Sequence, residues 1–197
     1  MNIPTQKVPV GREPSRLKSL LLQPWSSFES GLGAVHCWWA ICIFCAAILA
    51  YAARHSMNPD GLSYLDLASE GLSGGPSKLV NGYWSPAYPA LLSIAMLLFR
   101  PSAGQEFPLV HFVNFLIFVF DMWAFSFFLR NWSEATSNGE VVVESTNKKS
   151  YVTHFAFSMF LWFTLTFIGV EVVTPDLGVA AIVFLAAGIS CRLALPE

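Results

Sequence analysis

The segment that decides how this chain is built is Pro86–Phe99, PAYPALLSIAMLLF. It is apolar enough to enter a bilayer, but as a helix its fourteen residues rise only ~21 Å against a hydrocarbon thickness of ~30 Å. Pro86 and Pro89 prevent a helix from extending back toward the N-terminus, and Arg100-Pro101 closes it at the other end. The segment therefore predicts a helix lying in the membrane interface and not a span.

Working outward, four longer apolar runs remain, at 34–53, 107–129, 151–170 and 177–195. Each is close to the ~20 residues a crossing needs. The 197-residue chain is 54% hydrophobic and only 12% charged, against about 25% charged in a soluble domain. The expected fold class is all-α: a polytopic membrane protein with about four transmembrane helices and two interfacial helices in its first outer loop.

Charge placement tests the count. Of eleven basic residues, Lys7, Arg12, Arg16 and Lys18 precede the first run, which places the N-terminus in the cytoplasm by the positive-inside rule. With 86–99 kept out of the bilayer, eight basic residues fall inside and three (Arg54, Lys78, Arg100) outside. A fifth crossing would send Arg130, Lys148 and Lys149 outward and erase the bias. The expected location is thus the plasma or inner membrane, multi-pass. Residues 1–33 form a cytoplasmic tail, 34–197 the membrane part, and 54–106 the first outer loop. The first run is longer than a secretory h-region and carries Trp38 and Trp39, so it reads as an uncleaved anchor. The ending CRLALPE, just past a span, suggests the N-terminal part of a longer protein.

Several chemistries find no support in the residues. Cys37, Cys42, Cys45 and Cys191 all lie in apolar runs without ligand spacing, so neither a disulfide framework nor a zinc site is expected. No phosphate-cradling glycine loop and no basic face for nucleic acid is present.

The first outer loop opens with NPDGLSYLDLASEGL. Pro-Asp-Gly makes a turn, Asp60 is placed to cap a helix from Gly61 to about Leu72, and that helix is two-faced. Leu62, Leu65, Ala68 and Leu72 form one side, and Ser63, Asp66 and Glu70 the other. LVNGYW (79–84) reads as a short extended stretch, and 131–150 as a polar cytoplasmic loop. A second acid, Asp176 in EVVTPDLG, starts the last span, with Glu171 five residues earlier. In the four-span topology Asp60 and Asp176 face the same compartment. Asp121, within LIFVFDMWAF, must be neutral or paired in the bundle; His154 is the expected partner. His36 and His111 are expected at the interface. These residues leave two readings open: an enzyme with an acidic outer pocket, or a non-catalytic multispan protein such as a transporter or complex subunit.

An N-in span, an acidic first-loop turn with a tyrosine (PDGLSY, 59–64), a Pro-Ala-Tyr-Pro segment (86–89) and a later Thr-Pro-Asp (174–176) together resemble the GT-C glycosyltransferases. The similarity is greatest to family 39, the protein O-mannosyltransferases and lipid A aminoarabinose transferases. The resemblance covers about 34–195 and implies transfer of a sugar from a polyprenyl-phosphate donor, held among membrane lipids, to a glycan, lipid or protein acceptor. It implies Asp60 as the first-loop catalytic aspartate and Asp176 as the second catalytic acid. Tyr64, Trp84, Tyr88 and Glu171 become the substrate-binding set, and a divalent cation, where one takes part, would be held by Asp60 and Asp176. Two departures stand out: Gly61 replaces the family's common glutamate, and Ser85 lies where a phosphate-binding lysine is found.

Overall fold

The computed structural model describes residues 32–136 and 142–194, and among these every regular element is helical. Six α-helices occur in order: α1 (Leu32–Ala53), α2 (Pro59–Gly74), α3 (Ala87–Phe99), α4 (Glu106–Thr136), α5 (Val142–Phe163) and α6 (Asp176–Ala194). α1, α4, α6 and the Tyr151–Ile168 stretch are each long and apolar enough to cross a bilayer, whereas α3, at 13 residues, is not. The protein is a polytopic all-α membrane protein. The tail expected over 1–33 lies outside the described residues apart from its last two positions.

α4 is the axis of the bundle. Its 31 residues rise ~46 Å, and it packs against α1, α3 and α6. α1 meets it through a stripe of small residues, Cys42, Ala46 and Ala50, buried in one cluster with Phe118, Met122, Phe125 and Leu129. Small side chains let two membrane helices approach closely where water supplies no hydrophobic drive between them. The α4–α6 contact uses the same device. A Cβ on Gly188 would lie 2.6 Å from the Phe127 ring and 3.1 Å from the Phe128 backbone. The outer surfaces of α1 and α6 expose Phe44, Ile48, Ile182 and Val183, as lipid-facing helices do.

α2 and α3 stack on one end of α4. Leu65 and Ala68 of α2, Leu92 and Ala95 of α3, and Val110 and Val113 of α4 share a second apolar cluster. α3 stops because Arg100 turns left-handed (φ 47), its N–H bonding Met96 O at 2.9 Å, just before Pro101.

The apolar side of α2 is divided: Leu65 and Ala68 are buried together with Gly61 and Tyr64, while Leu62 and Leu72 stay exposed, and the Tyr64 ring takes the inner position with aromatic partners. Two expectations are corrected. Residues 79–84 are extended only at Val80: Leu79 closes a 3-10 turn before it, and Asn81 Oδ1 accepts from the Tyr83 and Trp84 N–H groups at 2.8 and 2.6 Å. The polar loop at 131–150 shrinks, since 131–136 continue α4 and 142–150 begin α5; 137–141 lie outside the described residues. His111, near the start of α4, is buried in the protein, 1% exposed, with Nε2 donating to Ser56 O at 2.8 Å.

Candidate active site

The α1–α2 connection and the loop before α6 meet at one end of the bundle. Asn58 is the residue preceding α2, in extended conformation, yet its side chain does not cap the helix. It reaches across to Val173 instead: Asn58 Nδ2 donates to Val173 O at 3.3 Å, and Val173 N–H donates to Asn58 Oδ1 at 3.0 Å. The cap expected of Asp60 is therefore not formed. Asp60 lies in the first turn of α2 and stays exposed. Asp176, likewise exposed, is the first residue of α6. Each carboxylate thus sits where a helix N-terminus stabilises negative charge.

Behind the Asn58–Val173 junction lies a buried polar chain. Tyr88 donates to Asn114 Oδ1 at 2.6 Å, and Asn114 Nδ2 donates to Val172 O at 3.0 Å. Asn114 is fully buried in α4. The chain satisfies carbonyls of the 169–175 loop that would otherwise be costly to bury. The loop itself begins unusually. α5 ends in a π turn, Thr164–Ile168, closed by Gly169 N–H to Thr164 O at 3.0 Å, and Gly169 adopts φ 74. Such turns often accompany functional sites. Farther along, Glu171 Oε2 and Thr174 Oγ1 are buried without a hydrogen-bond partner among the described residues.

Tyr64 lies within electrostatic reach of both acids. Its ring packs edge-on against Trp84 at 4.8 Å and Tyr88 at 5.1 Å. Burial raises its phenol above the ordinary tyrosine range, and the charges of Asp60, Asp176 and Tyr83 add to the rise. Both carboxylates therefore act on the same hydroxyl, from helices far apart in sequence. Burial also raises the Tyr88 phenol, with Tyr64 contributing. Both tyrosines stay neutral at physiological pH, able to donate a hydrogen bond.

Packing accounts for the glycine at position 61. A Cβ at Gly61 would lie 2.6 Å from Met57 Sδ, 2.8 Å from Asn58 Oδ1 and 2.8 Å from Val173 Cβ. The close seating of the 169–175 loop on α2 leaves no room for a side chain there, so a glutamate does not fit.

Asp60, Asp176, Tyr64, Trp84 and Glu171 thus come to one end of the molecule, with Tyr88 behind Tyr64 and its hydroxyl committed to Asn114. Among the described residues no three His, Cys, Asp or Glu side chains converge to hold a metal ion. Asp121 is not paired with His154. His154 Nδ1 accepts from Trp38 Nε1 at 2.9 Å, while Asp121 is fully buried with neither oxygen hydrogen-bonded among the described residues.

Sequence reading missed Asn58 and Asn114. A signal existed for the second: Asn114 lies one turn from His111 inside an apolar run, a pattern that marks polar contacts within a bundle. No protein-family model, curated protein or solved structure matches the chain.

Proposed function

We propose that this protein transfers a sugar from a polyprenyl-phosphate-linked donor to an acceptor hydroxyl at the outer face of a cell membrane, with its N-terminus in the cytoplasm. The observation that carries the reading is the Asn58–Val173 pair of hydrogen bonds, which brings the start of α2 with Asp60 and the loop leading to Asp176 to one end of the bundle, beside two helices too short or too polar to cross. The donor's tail stays in lipid while its head reaches this end. Asp60 takes the proton of the acceptor hydroxyl as that oxygen attacks the anomeric carbon. The bond from that carbon to the phosphate oxygen breaks, and the phosphate leaves with the electron pair. Asp176 and the Tyr64 hydroxyl orient the acceptor, and Trp84 offers an aromatic face to the sugar. Tyr88 and Asn114 hold Tyr64 and the 169–175 loop in place.

The test is release of sugar from a radiolabelled polyprenyl-phosphate donor by membrane vesicles carrying the full-length protein. Asp60→Asn should lower the rate by roughly 10²–10⁴-fold, the range of a lost general base. Unchanged transfer by the variant would remove Asp60 from the chemistry.

One observation favours a second reading, a transporter: Asp121 is a fully buried intramembrane acid without a hydrogen-bond partner among the described residues, and such acids often mark ion paths. Proton-coupled uptake into proteoliposomes that disappears in Asp121→Asn would favour it over the transferase.

A further inference from the structure

α3 carries its polarity inward. Its two polar side chains, Tyr88 and Ser93, are both buried. The Tyr88 hydroxyl donates to Asn114 Oδ1, and Ser93 Oγ lies within hydrogen-bond distance of Ala68 O (3.0 Å) and Pro89 O (2.9 Å). From Leu91 onward the outward side chains are Leu91, Ile94, Leu97, Leu98 and Phe99, the last four each more than half exposed. A helix at a water surface, or one lying among lipid headgroups, turns a polar face outward. α3 has none. The neighbouring α2, whose Leu65 and Ala68 pack on Leu92 and Ala95, does have one: Asp66, Ser69, Glu70 and Ser73 are exposed.

The level of α3 on the spanning helix α4 gives an independent measure of its depth. Tyr88, at the start of α3, bonds Asn114, and Phe99, at its end, meets the Phe112 ring at 6.1 Å. Both ends reach the same turn of α4, so α3 runs across α4 and not along it. The contact zone, Leu109 to Asn114, lies ~4–12 Å along α4 from Glu106. The apolar run of α4 between Glu106 and Arg130 rises ~34 Å, close to the ~30 Å of a bilayer's hydrocarbon. Its first half therefore corresponds to one leaflet, and α3 is level with acyl chains. The outer face of α3 also continues, through Phe99 and Phe112, into the exposed stripe Phe112, Leu116 and Phe120 of the same span.

The backbone suits a place without water, where each polar group needs a partner within the protein. Pro89 removes one of the first-turn N–H groups that a helix leaves unpaired. Ala90 N–H bonds Pro86 O at 3.0 Å, and Arg100 N–H bonds Met96 O at 2.9 Å.

We propose that α3 is sunk in the acyl chains of the leaflet on the α2 side, with Leu91, Ile94 and Leu98 facing lipid and the water boundary running between α2 and α3. The sequence alone places this segment in the interface; the packing level and the inward polarity carry it below the headgroups. The Tyr88–Asn114 bond then lies out of reach of water. This inference is independent of the transferase reading and holds whichever compartment that end faces.

The test uses the full chain in phospholipid vesicles, its native cysteines replaced, with a nitroxide label at Ile94→Cys or Leu98→Cys. Leu116→Cys on α4 is the lipid reference and Glu70→Cys on α2 the water reference. Power-saturation EPR reads collisions with oxygen, which concentrates in hydrocarbon, and with a nickel chelate, which stays in water. At 94 and 98 oxygen collisions should exceed nickel collisions several-fold, as at 116, with the order reversed at 70. Leu97→Cys takes the place of either variant if it does not fold. Nickel collisions exceeding oxygen collisions at 94 and 98 would overturn the proposal, leaving α3 among headgroups or in water. Few collisions with either reagent would overturn it too, marking a second copy or a protein partner on that face.

Discussion

Asn58 and Val173 are joined by a pair of hydrogen bonds, side-chain amide to backbone carbonyl at 3.3 Å and backbone amide to side-chain oxygen at 3.0 Å, across 115 residues of sequence. The pair ties the start of α2, which carries Asp60, to the loop that leads into Asp176. Replacing Asn58 with Ala removes both bonds and strands two part-buried backbone groups of Val173. The expected cost is ~1–3 kcal/mol, read as a lower unfolding midpoint in detergent at a fixed scan rate. Asn58→Asp keeps the acceptor and loses the donor, and should fall between Ala and wild type. Equal midpoints for all three would mean the pair does not hold the loop.

The tyrosines give a pH signature. Burial raises both phenols, and at Tyr64 Asp60 and Asp176 add to the effect. The fold therefore keeps protons that the unfolded chain releases above the ordinary tyrosine value of ~10. Their contribution to stability is complete below that pH and is lost as pH rises from there toward the higher folded values. Tyr88→Phe should flatten the alkaline fall of the unfolding midpoint. Asp60→Asn and Asp176→Asn should each move the Tyr64 titration, monitored by tyrosinate absorbance, down toward the ordinary value. A Tyr64 titration indifferent to one of the aspartates would show that its charge does not reach the phenol.

Two glycines on α6 separate packing from propensity. Gly188→Ala places a Cβ 2.6 Å from the Phe127 ring and 3.1 Å from the Phe128 backbone, and should destabilise by ~1–3 kcal/mol as overpacked sites do. At Gly178 the nearest atom to a new Cβ is Ile117 Cγ2, at 3.9 Å. Gly178→Ala should be neutral or should stabilise by up to ~1 kcal/mol through helix propensity. The pair is compared by thermal unfolding side by side; equal effects would contradict the close α4–α6 approach.

The features legible in the sequence came from lengths and breakers. The short α3 between Pro86 and Arg100-Pro101, and the four helices long enough to cross, come from hydrophobic run length alone. Rotation about a helix axis was harder. Leucine spacing grouped Leu62 and Leu72 with Leu65 and Ala68 on one side of α2, but it did not show that Tyr64 would centre the packed face, against Trp84 and Tyr88. For the same reason Asp121 and His154, on neighbouring spans, were matched although they do not meet. The links that organise the site, Asn58 to Val173 and Asn114 to Val172, join segments distant in sequence through a loop without periodicity, so no local pattern announced them.

The account depends on Asp60 and Asp176 sharing one end of the bundle and one side of the membrane. Single cysteines at 60, 176 and 134 are placed in a background with Cys37, Cys42, Cys45 and Cys191 replaced, and sealed cells are treated with a membrane-impermeant maleimide. Glu134 marks the opposite end, where it pairs with Arg192 at 2.9 Å. The account predicts that 60 and 176 label alike from outside, while 134 labels only once the membrane is opened. Labelling of 60 and 176 from opposite sides would contradict it.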